Sequence, residues 1–121
     1  MEKIAFIGVG VMGKPMVLNL ANAGYDVTIY TRTKSKVQDL LDQGITWKDT
    51  VCDCIQNQDI IMTMVGYPQD VEDIYFGQNG IIKNAKKGAI LIDFTTSSPK
   101  LAKRIYENAK ENQLESLDAP V

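Results

Sequence analysis

Short apolar runs recur along the chain and are separated by more polar segments. The runs occupy residues 4–7, 27–30, 60–65 and 89–92, and a last strand is predicted over residues 114–117. Hydrophobicity that is continuous rather than alternating is typical of strands covered on both faces. The pattern therefore predicts an α/β protein with a mainly parallel sheet and helices on both faces. Right-handed crossovers would bring the carboxyl ends of all strands to one edge.

The segments between the runs carry signals for helix boundaries. Helices are predicted after the first run up to a C-cap at Gly24, over 34–43 up to Gly44, from Asp49 or Thr50 to about 56, from about Pro68, and from Pro99 to about 111. Ser98 is a good N-cap because it directly precedes Pro99 at the first helical position. The positions expected to face the core from this last helix are Leu101, Ala102, Ile105 and Ala109. Residues 77–80 are predicted as a turn.

The first predicted strand leads directly into a glycine-rich turn, Gly8-Val9-Gly10-Val11-Met12-Gly13. In a dinucleotide-binding turn the first glycine permits the tight turn, the second lets the backbone approach a pyrophosphate, and the third lets the next helix pack closely on the sheet. Glycine-rich turns also occur as plain loops, but a strand before the turn and a helical pattern after it favour a Rossmann-type, doubly wound fold. The predicted cofactor-binding residues of this turn are Gly8, Val9, Gly10, Val11, Met12 and Gly13.

The end of the second predicted strand bears on the choice of cofactor. Folds that prefer NAD usually have Asp or Glu there, about 20 residues past the glycines, to accept hydrogen bonds from the adenosine ribose. This chain has Thr31, Arg32 and Thr33 instead. An arginine beside the ribose can hold a 2′-phosphate, so NADP is the predicted cofactor. NAD stays open, because Arg32 could instead stack on the adenine or be solvated.

Two further segments follow predicted strands at the same edge. Gly66-Tyr67-Pro68 is expected beside the nicotinamide half of the cofactor, although this sequence is equally typical of a plain turn. After the fourth strand come Thr95, Thr96, Ser97 and Ser98. Ser98 is explained as a helix cap, and the other three hydroxyls are more than a cap needs. They are therefore predicted where a substrate would meet the nicotinamide.

The composition and net charge limit the kinds of partner that the chain could bind. The 121 residues are 45% hydrophobic with a formal net charge of -2, which is ordinary for a single domain and gives no basis for binding nucleic acid or a membrane. The sequence has neither a membrane-span pattern nor a signal-peptide pattern, so a cytoplasmic location is expected.

With no histidine present, Cys52 and Cys54 are predicted as buried or half-buried free thiols and no metal site is expected. Any general acid or base must be a carboxylate, lysine, tyrosine or cysteine.

Four segments together resemble the 3-hydroxyacid (β-hydroxyacid) dehydrogenase family, which includes 3-hydroxyisobutyrate dehydrogenase and tartronate semialdehyde reductase. They are residues 6–16, 30–33, 93–96 and 117–121. The Gly-x-Gly-x-Met-Gly turn followed by Pro15 is distinctive, since generic dinucleotide turns vary at the methionine and proline positions. The resemblance implies hydride transfer between a nicotinamide cofactor and a small 3-hydroxy acid or its semialdehyde.

The resemblance also assigns roles to single residues. It implies cofactor contacts from Val65, Gly66, Asp70 and Thr96. The predicted substrate contacts are Thr96 and Ser97 of the hydroxyl cluster and Asp118 of the last matched segment. The chain departs from the family pattern at Gly66, where proline is common, and at Asp70, where asparagine is common. These assignments complete the predicted site.

Family members continue past the matched segment with a Ser-Gly-Gly sequence that binds the substrate carboxylate and with a helical domain that carries the catalytic lysine. Residues 1–121 are therefore expected to be a cofactor-binding domain with no catalytic residue of its own and no turnover. The full-length protein is expected to be a homo-oligomer. Two alternatives stay open: a fragment of the related 6-phosphogluconate dehydrogenases, which share the Val-Met-Gly turn, and a non-catalytic nucleotide-sensing module.

Overall fold

The computed structural model describes residues 2–9, 13–64, 68–94 and 99–118, except for the side chains of residues 68–71 and 118. The strands are β1 (Lys3–Ile7), β2 (Asp26–Tyr30), β3 (Thr46–Trp47), β4 (Ile60–Thr63), β5 (Ile90–Asp93) and β6 (Glu115–Asp118). The α-helices are α1 (Gly13–Asn22), α2 (Gln38–Leu41), α3 (Val51–Cys54), α4 (Pro68–Phe76), α5 (Ile81–Asn84) and α6 (Pro99–Glu111). A 3-10 helix at Lys34–Val37 precedes α2.

The described strands form one parallel sheet in the order β3-β2-β1-β4-β5-β6. This order confirms the predicted Rossmann-type, doubly wound fold. The chain runs outward from β1 to β3, returns to place β4 beside β1, and runs outward again on the other side. The direction of winding thus reverses between β1 and β4, and ligands of such sheets bind outside the carboxyl ends at that reversal.

Both faces of the central strand β1 are covered, which explains its unbroken apolar run. Ala5 and Ile7 belong to one core layer, and Phe6 belongs to the other. The first layer also contains Ile61, Tyr75, Ile81, Leu91, Leu101 and Ile105. The second layer also contains Val17, Val27, Ile29, Val37 and Leu40. The helices that follow β4 and β5 therefore cover one face, while α1 and α2 cover the other.

Several helix and strand boundaries differ from those predicted. The helix expected over residues 34–43 is interrupted at Val37, whose φ is -119° and ψ is 15°. Val37 is fully buried in the second layer, so tertiary packing overrides the local helical preference there. The helix expected to reach about residue 56 ends at Cys54, and its N-cap is Thr50, whose side chain accepts a hydrogen bond from the Asp53 amide at 3.1 Å. Strand β4 ends at Thr63, two residues before the predicted end at 65.

The short elements β3 and α5 are not predicted from the sequence. β3 has two residues and α5 has four, which is too short for either periodicity to be recognised. In α6, Ala102 is half-buried, whereas Leu101, Ile105 and Ala109 are buried as predicted. The last strand begins one residue later than predicted, at Glu115.

Candidate functional site

The chain leaves four neighbouring strands at the same level of the sheet. Three backbone bonds show this: the amide of Gly8 donates to the carbonyl of Tyr30 at 2.9 Å, that of Met64 to Ile7 at 2.9 Å, and that of Phe94 to Thr63 at 2.8 Å. Each bond extends the parallel ladder by one residue beyond a strand end. The carboxyl ends of β2, β1, β4 and β5 thus form an even edge, from which the predicted site residues follow.

Two glycines of the glycine-rich turn meet demands that other residues would not. Gly8 has a φ of 85°, in the left-handed region that favours glycine. A Cβ atom on Gly13 would lie 3.2 Å from Cε1 of Phe6, so the absence of a side chain lets α1 approach β1 closely. Val9 is buried in the second core layer, so its side chain packs into the core and only its backbone could contact a ligand. Gly10, Val11 and Met12 lie outside the described residues.

A tight turn follows β2 and presents Arg32 at the surface. The Thr31 hydroxyl donates to the carbonyl of Thr33 at 3.1 Å and accepts from the amide of Thr33 at 3.0 Å. Thr31 is buried, so its side chain closes the turn rather than reaching outward. Arg32 and Thr33 are exposed. The turn therefore holds a guanidinium at the carboxyl edge, next to the strand end where a carboxylate would select NAD.

Charged side chains connect the helices around this turn. The Lys34 ammonium lies 4.9 Å from the centroid of the Trp47 ring on β3. On the other side, Lys14 of α1 donates to a carboxylate oxygen of Asp39 on α2 at 3.2 Å. This hydrogen bond and the charge of Lys14 lower the pKa of Asp39. The helix after the glycine-rich turn and the helix after the Arg32 turn are thus linked by an ion pair.

A buried polar network lies beneath the ends of β4 and β5. Thr63 and Asp93 are register partners at the last positions of these strands and are 0% and 4% exposed. The Thr63 hydroxyl donates to Oδ1 of Asp93 at 3.1 Å and lies 2.8 Å from the hydroxyl of Tyr75, a fully buried residue of α4. We call these three residues the Tyr75 network. The sequence pattern did not predict this network, although polar residues that end two otherwise apolar strands were a signal for it.

Helices α4 and α6 are tied together at the surface on the same side of the sheet. Arg104 of α6 donates to Glu72 of α4 at 2.7 Å. Its guanidinium carbon also lies 4.1 Å from the centroid of the Phe76 ring. This arrangement combines an exposed ion pair with a cation–π contact and links the two helices at the surface.

The remaining predicted site residues fall outside the part of the chain that the structure describes. They are Val65, Gly66, Thr96 and Ser97, together with the side chains of Asp70 and Asp118. Across the described ranges, no cluster of three or more His, Cys, Asp or Glu residues could hold a metal ion. A search of the same ranges finds no helix with both the length and the apolar character of a membrane span.

The two cysteines are free thiols, as predicted. Cys52 is half-buried and Cys54 is buried. The Cys54 thiol donates to the carbonyl of Thr28 at 3.6 Å, and burial raises its pKa to about 12. Cys54 is therefore a core residue of the α3–β2 contact, with no thiolate at neutral pH.

Comparison with known proteins gives a consistent result. Residues 3–121 match the family described as the NAD binding domain of 6-phosphogluconate dehydrogenase. The chain is 60% identical over 120 residues to the uncharacterized oxidoreductase YkwC of Bacillus subtilis, covering 99% of this chain and 42% of that protein. It is 35% identical over 121 residues to a 3-hydroxyisobutyrate dehydrogenase of Pseudomonas aeruginosa, covering 100% of this chain and 41% of that protein.

Among solved structures, the chain is similar to Mycobacterium tuberculosis 3-hydroxyisobutyrate dehydrogenase with L-serine. The TM-score is 0.90 at 27% identity, and the match covers 100% of this chain and 40% of that chain. The present chain thus spans about two fifths of the length of the relatives that it matches.

Proposed function

The chain belongs to the family described as the NAD binding domain of 6-phosphogluconate dehydrogenase, and from this premise we propose that it binds NADP, or less tightly NAD, across the carboxyl edge of its sheet. The observation that carries this proposal is the junction of β1 and α1. There Gly8 has a φ of 85°, and a Cβ on Gly13 would lie only 3.2 Å from Cε1 of Phe6. These are the demands that a dinucleotide turn places on its first and third glycines, so the described residues fit the cofactor.

The proposed binding residues divide between the two halves of the sheet. The pyrophosphate would lie against the backbone at Gly8, Val9, Gly10, Val11, Met12 and Gly13, at the start of α1, where amides and the helix dipole favour negative charge. The adenosine half would lie beside Thr31, Arg32 and Thr33. The nicotinamide half would lie beside Val65, Gly66, Asp70 and Thr96.

The preference for NADP rests on the turn after β2. Thr31 satisfies both the amide and the carbonyl of Thr33, which leaves Arg32 exposed at the tip. A guanidinium there can donate charge-assisted, bidentate hydrogen bonds to the oxygens of a 2′-phosphate. No carboxylate stands at residues 30–33 to accept hydrogen bonds from an unphosphorylated ribose or to repel the phosphate.

For the longer protein to which such a domain would contribute, we propose an oxidoreductase acting on a small 3-hydroxy acid or its semialdehyde. A bound nicotinamide would accept or supply the hydride, and the chain's role would be to bind and orient it. Thr96, Ser97 and Asp118 are the proposed substrate contacts, and no residue of this chain is assigned the proton transfer. Relatives named 3-hydroxyisobutyrate dehydrogenase support this substrate class over a phosphorylated sugar acid. A cytoplasmic location and a homo-oligomeric state are part of the same proposal.

Calorimetric titration with NADPH and NADH tests the cofactor proposal directly. We expect NADPH to bind more tightly than NADH, and Arg32→Ala to weaken NADPH binding about ten- to hundredfold, as the loss of a charge-assisted hydrogen bond of ~1.5–3 kcal/mol implies. The affinity for NADH should change little. Lys87→Ala is the matched control, since it removes an exposed positive charge just before β5, at the amino edge of the sheet.

The outcomes separate the parts of the proposal. If NADH bound as tightly as NADPH, the NADP preference would be wrong while the cofactor site stood. If Lys87→Ala weakened NADPH as much as Arg32→Ala, the effect would come from net charge rather than from the turn. If the chain bound neither dinucleotide, the proposal as a whole would fail.

A further inference from the structure

We propose that the Tyr75 network, Thr63, Tyr75 and Asp93, is a positioning device that fixes the ends of β4 and β5 for the nicotinamide half of the cofactor. The inference rests on the proposed function and deepens it. The three residues would not touch the reacting atoms. They would act through the two strand ends and through α4.

The protons of the network have one consistent direction. Thr63 has a single hydroxyl proton, and it donates that proton to Oδ1 of Asp93. The 2.8 Å bond to Tyr75 must then use the phenol as donor and the Thr63 oxygen as acceptor. The chain of donors therefore runs from Tyr75 through Thr63 to the carboxylate. Successive hydrogen bonds of this kind polarise and strengthen one another in a buried setting.

The apolar surroundings of the network indicate that its hydrogen bonds serve to position the strand ends and not only to stabilise the fold. The network lies in a core layer whose neighbours on the same face include Ile7, Ile61, Leu91 and Ile81. Apolar side chains of similar volume would fill this layer without the cost of burying a carboxylate and two hydroxyls. Hydrogen bonds add what apolar packing does not, namely a fixed direction and distance between the elements that they join.

The elements joined are those that lead into the second half of the site. The Phe94 amide donates to the Thr63 carbonyl at 2.8 Å, so backbone and side chain both fix the end of β5 against β4. Tyr75 fixes α4 against the same residue of β4. Arg104 then fixes α6 against α4 through Glu72. Tyr75 near the end of α4 and Arg104 within α6 thus link these two helices to the end of β4.

The nicotinamide side follows from the topology. In a sheet of this strand order, one mononucleotide half of the cofactor lies over β1 to β3 and the other over β4 to β6. The Arg32 turn after β2 marks the first half as the adenosine side in the proposed function. The network lies under β4 and β5, so its loss should affect the nicotinamide half and leave the adenosine half alone.

The test compares a whole dinucleotide with its adenosine half. The dinucleotide is whichever of NADPH and NADH the unchanged chain binds more tightly, and the fragment is 2′,5′-ADP or ADP to match. We expect Tyr75→Phe and Thr63→Val each to weaken the dinucleotide about tenfold, which corresponds to ~1.4 kcal/mol. Fragment affinity should change less than about twofold, because the adenosine half would not contact β4 or β5.

Two further variants separate positioning from a loss of stability. Thr63→Ser keeps the hydroxyl and should retain most of the dinucleotide affinity that Thr63→Val loses. Tyr106→Phe removes a phenol hydroxyl from the exposed face of α6 and should leave both ligands unaffected. Thermal unfolding of each variant, recorded in the same buffer, verifies that the titrated chain is folded. If Tyr75→Phe does not fold, the two Thr63 variants decide the question.

A selective loss of dinucleotide affinity, restored in Thr63→Ser, would support the positioning role. Equal weakening of dinucleotide and fragment, or no weakening of either, would overturn it while the cofactor site stood. Failure of the unchanged chain to bind any dinucleotide would overturn the proposed function and this inference together.

Discussion

Replacing Gly13 by alanine tests whether the close approach of α1 to β1 is a packing requirement of the fold. The new Cβ would lie 3.2 Å from Cε1 of Phe6, while its next contacts, Cζ of Phe6 and Cγ1 of Val9, both at 3.6 Å, are ordinary. The Phe6 ring is fully buried in the second core layer, so a shift of the ring that relieves this contact would have to disturb packed neighbours. One defined contact therefore carries the whole perturbation.

Two opposing contributions determine how much Gly13→Ala changes the free energy of unfolding. Alanine favours a helix over glycine by up to ~1 kcal/mol in a helix interior, and by less at Gly13, which is the first residue of α1. Adding a methyl group to a filled core costs about 1–3 kcal/mol. We expect the cost to be larger, so Gly13→Ala should lower the free energy of unfolding by about 1–2 kcal/mol.

Urea-induced unfolding without cofactor measures this change, with the m-value monitored to verify that the unfolded state is unaltered. Asn19→Ala is the control, because Asn19 is exposed on the same helix and alanine should stabilise it slightly. The double variant Phe6→Leu with Gly13→Ala identifies the cause. If the ring is the obstacle, the two changes should be coupled by at least about 0.5 kcal/mol, with the double variant more stable than the sum predicts. Additive effects, or a Gly13→Ala chain at least as stable as the original, would refute the reasoning.

Two further predictions concern side chains away from the proposed site. A thiol reagent at pH 8 should label Cys52 in the folded chain and spare Cys54, because the Cys54 pKa of about 12 leaves almost no thiolate. Both cysteines should react after unfolding. Mass spectrometry that found Cys54 labelled first would contradict its burial. The pKa of Asp59 is lowered by the Lys3 amide and by Lys86, so its contribution to stability is present above the ordinary pKa of an aspartate, about 4, and is lost as the pH falls through the lower folded value. The unfolding midpoint should therefore fall less between about pH 5 and pH 2 in Asp59→Asn than in the original chain, and equal falls would show that this carboxylate does not contribute.

Much of the fold could be predicted because its strands are buried on both faces and separated by legible turns. β1, β2, β4 and β5 each read as apolar runs, and a parallel doubly wound sheet follows from such runs alternating with helices. The edge strand β3 could not be found this way, since two residues show no periodicity. The break at Val37 was hidden for another reason: it depends on a buried contact in the second core layer rather than on local preference.

The candidate site also contains some residues that the sequence could predict and others that only the folded structure identifies. Gly8 and Arg32 could be chosen from spacing alone, because a glycine-rich turn and the end of the second strand have fixed places in a dinucleotide-binding fold. The resemblance to 3-hydroxyacid dehydrogenases is confirmed by the family match and by the named relatives. Tyr75 could not be chosen, since its partners are 12 residues away at Thr63 and, beyond it, on β5. Sequence spacing identifies what lies in a local turn, and only the packed sheet shows what supports it.

The position of Trp47 would allow its fluorescence to report ligand binding without an added label. It is the single tryptophan, it is the last residue of β3, and it lies against the Lys34 ammonium on the side of the sheet assigned to adenosine. Indole emission overlaps the absorption of a reduced nicotinamide and not that of an oxidised one. Energy transfer would therefore distinguish a bound reduced cofactor from its oxidised form on the unlabelled chain, and a shift in the indole spectrum without transfer would report a change in the surroundings of Trp47.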